Sequence, residues 1–226
     1  MIDPRSLPTD LQELVGRLTD DGQQVGDLPG MRRPRGGRSR RAAVLILVGE
    51  DRMDLTFTER PAHMRKHPGQ ISFPGGSLDQ GETAVQAALR EAREEIALDT
   101  TGVQVLGRLP NAHVPASGFD VAGIVALWDG TSPIRPASPD EVAAIHRYPL
   151  ADLADPANRF TARLPTGYRG PAFVFDDIFV WGFTAHLVDT LLDLSGLAVP
   201  WPQEKELDVP WRFLREGKGP DTPVED

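Results

Sequence analysis

Apolar positions along the chain follow two periodicities. Residues 42–48 are apolar without alternation, as in a strand buried on both faces. Gly49, Glu50 and Asp51 supply a turn, after which Leu55 and Phe57 alternate with Thr56 and Thr58 like a hairpin partner. A short strand is expected at 70–73, closed by Pro74, Gly75 and Gly76, with further strands at 103–109, 121–127, near 143–148 and at 173–181. Helical spacing runs through Leu11, Leu14, Val15 and Leu18 behind Pro8 and the potential cap Thr9, through a short turn at 150–153, and through a closing helix at 184–194.

The best-marked helix covers 83–96. Thr83 and Gln86 have the spacing of a capping box, which satisfies backbone donors of the first turn. At ~100° per residue from Val85, the side chains of Ala88, Leu89, Ala92 and Ile96 lie within ~60° of it and form a packing stripe. Glu94, Glu91 and Glu95 follow at ~180°, ~240° and ~280°, so three carboxylates share one flank beside the stripe. Like charges at these spacings destabilise a helix by roughly 0.2–0.5 kcal/mol per pair, and a bound divalent cation reverses that sign. Oxygen ligands so spaced suit Mg²⁺ or Mn²⁺. A solvated acidic face balanced by Arg90 and Arg93 is the alternative from the helix alone.

Composition narrows the classes. A chain of 226 residues with 40% hydrophobic and 25% charged residues suits one large globular domain with decorated ends. Cysteine is absent, which excludes disulfides, thiolate metal sites and a cysteine nucleophile. No stretch has the makings of a signal peptide or a bilayer span, so no membrane association and a cytoplasmic location are expected. The net charge of -9 argues against nucleic acid as a partner. Against that balance, Arg32, Arg33, Arg35, Arg38, Arg40 and Arg41 form an acid-free run, read either as a solvated arm or as a phosphate-recognising strand entrance.

Residues 76–98 read GSLDQGETAVQAALREAREEIAL. This resembles the box of the Nudix hydrolases, G-x5-E-x7-R-E-U-x-E-E-x-G-U with U aliphatic. Gly76, Glu82, Arg90, Glu91, Ala92, Glu94, Glu95 and Leu98 occupy its positions, and Ala97 stands where the box has its second glycine. The resemblance implies an α/β/α sandwich with a mixed curved sheet, an activated water attacking one phosphorus of a diphosphate, and Mg²⁺ or Mn²⁺ as cofactor. Glu91 and Glu95 would be the main metal ligands and Glu94 would serve a further ion. Arg90 would orient the carboxylates, Glu82 would lie near the metals at the helix start, and Gly75 and Gly76 would let the backbone approach the phosphates. The general base stays open between Glu91, Glu94 and a loop acid, Asp140 or Glu141.

Residues 58–76 read TERPAHMRKHPGQISFPGG, similar to the T-x-R-[SA]-x3-R-x3-G-x3-F-P-G-G signature of the coenzyme A pyrophosphatase branch of that family. Pro61 replaces the small residue, and Thr56 with Phe57 replaces the preceding aliphatic pair. The branch implies cleavage of coenzyme A to 3′,5′-ADP and 4′-phosphopantetheine, with Arg60 and Arg65 as planar forks for substrate phosphates and His63, Lys66 and His67 as further donors. Other nucleoside diphosphate derivatives, such as ADP-ribose or a dinucleotide, and a non-cleaving nucleotide-binding module are the alternatives. Expected organisation is an N-terminal helix and Arg-rich arm at 1–41, a Nudix domain at 42–195 and a C-terminal tail at 196–226 that runs along the surface or is disordered. The partner is a small-molecule nucleotide, and a homodimer is left open.

Overall fold

A computed structural model describes residues 7, 9–18, 31, 40–114, 117–175 and 178–214. In chain order these form α1 (Thr9–Val15), β1 (Arg40–Gly49), β2 (Asp54–Glu59), β3 (Ile71–Ser72), β4 (Gly75–Ser77), α2 (Ala84–Ile96), β5 (Val103–Arg108), β6 (Ala112–Val114), β7 (Phe119–Trp128), β8 (Ala144–Pro149), α3 (Leu150–Ala154), β9 (Arg159–Arg163), β10 (Arg169–Phe175), β11 (Ile178–Val180), α4 (Gly182–Ser195) and β12 (Glu206–Asp208), followed by a 3₁₀ turn, Trp211–Phe213.

The larger sheet of the described residues has the order β3-β2-β1-β7-β5, with β4 also paired to β1, β6 to β7 and β8 to β2. It is mixed, because β1 and β7 run parallel from Arg40 opposite Phe119 to Gly49 opposite Trp128, whereas β1 pairs antiparallel with β2 and β4. The unalternating apolar run of β1 is explained by burial on both faces. Ile46 and Val48 pack with Leu11, Leu14, Leu187 and Leu191 of α1 and α4, and Ala43, Leu45 and Leu47 pack with Ala88, Ala92 and Ile96 of α2. Helices on both faces of the sheet make the expected α/β/α sandwich.

A second sheet departs from expectation. The single strand foreseen at 173–181 is a hairpin, with Phe173 opposite Val180, and the acid pair Asp176 and Asp177 interrupts the apolar run between β10 and β11. β9 lies on the other side of β10, and β12 adds to β9 in parallel. Residues beyond Gly196 thus return to the body, where Val209 and Phe213 are buried. Of the arginine run, Arg32, Arg33, Arg35 and Arg38 lie outside the described residues. Arg40 and Arg41 open β1, and Arg40 donates to the Ser117 carbonyl with its guanidinium 4.1 Å from the Phe119 ring centroid. Among the described residues no helix is long and apolar enough to cross a membrane.

Candidate active site

Both ends of α2 are built from local chemistry. Thr83 accepts from Gln86 N–H at 3.2 Å while Thr83 N–H donates to the Gln86 side chain at 2.9 Å, so the capping box is complete. At the other end Ala97, in the position of the missing glycine, is left-handed (φ 53°, ψ 33°) and donates to the carbonyls of Ala92 and Arg93. That conformation brings Cβ against the following carbonyl, which glycine avoids. Ala97→Gly is therefore expected to raise stability by about 1 kcal/mol in urea unfolding; a clear loss would show that alanine is unstrained there.

The buried face of α2 differs from the expected stripe. Ala84, Ala87, Ala88, Ala92, Glu95 and Ile96 are buried, while Val85 and Leu89 sit half-buried at its edge. Small alanines let the helix axis approach β1, and this turns the helix so that Glu95 falls within the packed face, at 8% exposure. The three carboxylates keep their common flank but differ in depth. Glu91 and Glu95 are turned toward the sheet, whereas Glu94 stays 57% exposed and lies 3.4 Å from Arg90 Nη1. Among the described residues no three acidic or imidazole side chains converge as a ready cation cage.

Arg90 is the hub of the exposed side. Its Nε and Nη2 each donate to a separate oxygen of Glu82 at 3.0 Å, its Nη1 donates to Glu91 at 2.9 Å, and Nη2 also reaches the Ser77 carbonyl at 3.0 Å. The hydrogen bonds from Arg90 hold the Glu82 carboxyl below the usual carboxylate range, and the Glu82 contact in turn pushes the guanidinium pKa up. Glu82 is thus linked to Glu91 through Arg90.

Strain of the opposite kind gathers at that pair. Burial, and after it the charge of Glu91, pushes the Glu95 carboxyl up to about 8, although Gly75 N–H donates to its Oε2 at 3.2 Å. Burial raises Glu91 as well, against the pull of Arg90. Two desolvated carboxylates whose charges oppose each other form an oxygen donor set suited to a hard divalent cation. The flanking glycines have steric reasons to be glycine. A Cβ on Gly75 would collide with the Ala43 carbonyl oxygen and the Val44 backbone, and one on Gly76 would displace the Glu91 carboxylate.

Two groups reach this pair from elsewhere in the chain. The positive charge of Arg60, at the end of β2, lowers the Glu95 pKa, and the negative charge of Glu141 raises those of both Glu91 and Glu95. Arg60 Nε is buried with no hydrogen-bond partner among the described residues. Arg65, His63 and Lys66 are exposed on the 61–68 loop, and His67 Nδ1 lies 3.2 Å from Gln70 Oε1. The signature therefore splits, with the charge of Arg60 acting on Glu95 and Arg65 exposed on the loop. Sequence reasoning named Glu141 by position alone. It had no signal for the loop carrying it, which is fastened to the end of α2 by Arg135 N–H to the Ile96 carbonyl (3.0 Å) and Ala137 N–H to the Glu95 carbonyl (2.9 Å).

Sandwich, glycine turn and acidic helix together define a class, the hydrolases of diphosphate bonds. The NUDIX domain model matches residues 38–166. The uncharacterized Nudix hydrolase NudL of Escherichia coli is 38% identical over 159 residues, which covers 67% of this chain and 81% of that protein. The protein of the same description from Salmonella newport is 39% identical over 158 residues, with the same coverage. Among solved structures, the Caenorhabditis elegans Ap4A hydrolase binary complex is similar with a TM-score of 0.43 at 19% identity, over 50% of this chain and 82% of that one. The Nudix hydrolase RenU of Mycobacterium smegmatis has a TM-score of 0.43 at 21% identity, over 59% and 83%. The chain belongs to the Nudix family and is a Nudix pyrophosphohydrolase.

Proposed function

We propose that the substrate is coenzyme A or one of its derivatives, cleaved at the diphosphate to 3′,5′-ADP and 4′-phosphopantetheine. The observation that supports this reading is the positive charge of Arg60 acting on Glu95, which couples the 58–76 motif that bears Arg60 and Arg65 to the acidic helix. Mg²⁺ or Mn²⁺ would be held by Glu91 and Glu95. When bound, the cation neutralises charge developing on the phosphoryl oxygens and favours an activated water. Glu94 would serve a further cation only once its contact with Arg90 is released. Arg90 donates to Glu91 and so orients it, with Glu82 fixing the guanidinium plane. Arg60 would grip the diphosphate, and Arg65, on the exposed loop, the separate 3′-phosphate. The bare backbone at Gly75 and Gly76 would leave phosphate oxygens a close approach.

Relative kcat/KM for coenzyme A, dephospho-coenzyme A, ADP-ribose and a dinucleoside polyphosphate tests the substrate reading. Coenzyme A is expected to lead, with dephospho-coenzyme A behind it; preference for ADP-ribose or the dinucleotide would overturn it in favour of another nucleoside diphosphate derivative.

For the proton of the attacking water, Glu141 is preferred over Asp140, because its charge is felt by both Glu91 and Glu95 and its loop is bonded to the end of α2. Ser138 Oγ donates to Glu141 Oε2 at 3.2 Å and steadies it. Glu141→Gln should lower kcat on the order of 10²-fold while leaving Mn²⁺ affinity unchanged. Unchanged kcat would return the role to the helix carboxylates.

A further inference from the structure

The loop between Arg60 and Gln70 is closed at its neck by main chain. Arg60 N–H donates to the Gln70 carbonyl at 3.0 Å and Gly69 N–H to the Arg60 carbonyl at 3.1 Å. Against this neck sits the 3₁₀ turn Trp211–Phe213, more than a hundred residues later in the chain. The Gln70 side-chain amide donates to the Phe213 carbonyl at 2.9 Å. The Phe213 ring lies against Gly69, where an added Cβ would stand 3.6 Å from it.

The turn is itself anchored. Phe213 is buried with its ring centroid 6.2 Å from that of Phe179, and Val209 N–H donates to the Arg163 carbonyl at 3.0 Å just beyond the β12–β9 ladder. The other end of the Gln70 amide faces His67 Nδ1, and His67 holds a left-handed backbone (φ 54°), which a side chain bearing a Cβ rarely adopts unaided. One amide therefore joins the C-terminal turn to a strained loop residue and, through the neck, to Arg60. Beneath the neck Thr184 Oγ1 donates to the Ile71 carbonyl at 3.1 Å.

We infer that residues 206–214 are a working part of the substrate site, with Gln70 the positioning residue that fixes the loop bearing Arg60 and Arg65 for the substrate's phosphates. Residues 206–214 lie outside the matched segment, 38–166. The inference rests on the coenzyme A reading above. A loop held only at its neck would spend substrate binding energy on being ordered, and that loss falls on KM rather than on the chemistry at Glu91 and Glu95.

Gln70→Ala and Gln70→Glu test it together, because glutamate keeps an acceptor toward His67 but cannot donate to the Phe213 carbonyl. Both are expected to raise KM for coenzyme A about 10-fold with kcat within about 2-fold, to raise KM for ADP-ribose less because only the Arg60 contact is shared, and to speed hydrogen exchange of the 61–68 amides. Wild-type KM in Gln70→Glu, or unchanged exchange in both variants, overturns the inference while the coenzyme A reading stands. A loss of kcat on all substrates would mark the contact as structural and also overturns it. Failure of the wild-type enzyme to cleave coenzyme A overturns the reading beneath it, and is seen before any variant is made.

Discussion

Glu95→Gln is expected to lose on the order of 10³-fold in kcat at saturating Mg²⁺ and to gain, not lose, stability when metal-free. Both effects come from one placement. Glu95 sits in the packed face of α2 among alanines, where ionisation is opposed by burial and by Glu91. A carboxyl whose folded pKa is raised costs stability once the pH passes its unfolded value, and the cost is complete above about 8. Glutamine fits the same space without that cost, so the melting-temperature difference between variant and wild type should widen from pH 5 to pH 8 in chelator and shrink when Mg²⁺ is added. A variant that retained a tenth of wild-type turnover would not have lost a metal ligand. One that melted lower at pH 8 in chelator would refute the account of Glu95 as a desolvated charge awaiting a cation.

Arg60→Ala and Arg65→Ala should separate. Arg60 acts on Glu95 through its charge and has a buried Nε without a partner among the described residues, so its loss should impair every diphosphate substrate by roughly one to two decades in kcat/KM, the cost of one charged hydrogen-bonding group. Arg65, exposed on the loop, should matter for coenzyme A and little for ADP-ribose. In Arg65→Ala the advantage of coenzyme A over dephospho-coenzyme A should collapse, because the contact that distinguishes them is gone. Equal impairment of all substrates by Arg65→Ala would assign it to the diphosphate or to folding, and the coenzyme A reading would lose its 3′-phosphate partner.

The parts of the fold legible in the sequence are those whose cause is local. The capping box of α2 and the unalternating run of β1 each follow from a few adjacent residues, and the structure has both; the left-handed backbone of Ala97 is a finding of the structure. Motif spacing also marked the candidate residues, and the helix puts Arg90 on Glu91, with Glu95 one turn further along. Less legible was which way α2 faces its sheet. A helical wheel weights Val85 and Leu89 over Ala84 and Ala87, but close approach favours the smallest side chains, and that turn of the helix decides that Glu95 is buried and Glu94 is not. Hidden altogether were β9, β12 and the turn on Phe213. β12 and the Phe213 turn have partners remote in the chain, the 3-residue β12 is too short to show a period, and β9, a hairpin partner of β10, has only five residues with arginine at both ends. Glu141 falls between, because its acid is visible but the bonds of Arg135 and Ala137 that carry it to α2 are main chain and leave no trace in residue type.

The central claim is that the acidic helix and the Arg60 loop form one metal-dependent site for the diphosphate of coenzyme A. Hydrolysis of coenzyme A in ¹⁸O-labelled water tests it most directly, run with Mg²⁺ or Mn²⁺ and with chelator, and with the products separated and weighed. The account predicts 3′,5′-ADP and 4′-phosphopantetheine in equal amounts, one label on a single one of the two product phosphates, and no products in chelator. Intact coenzyme A beside cleaved ADP-ribose under the same conditions, or undiminished cleavage in chelator, would contradict it.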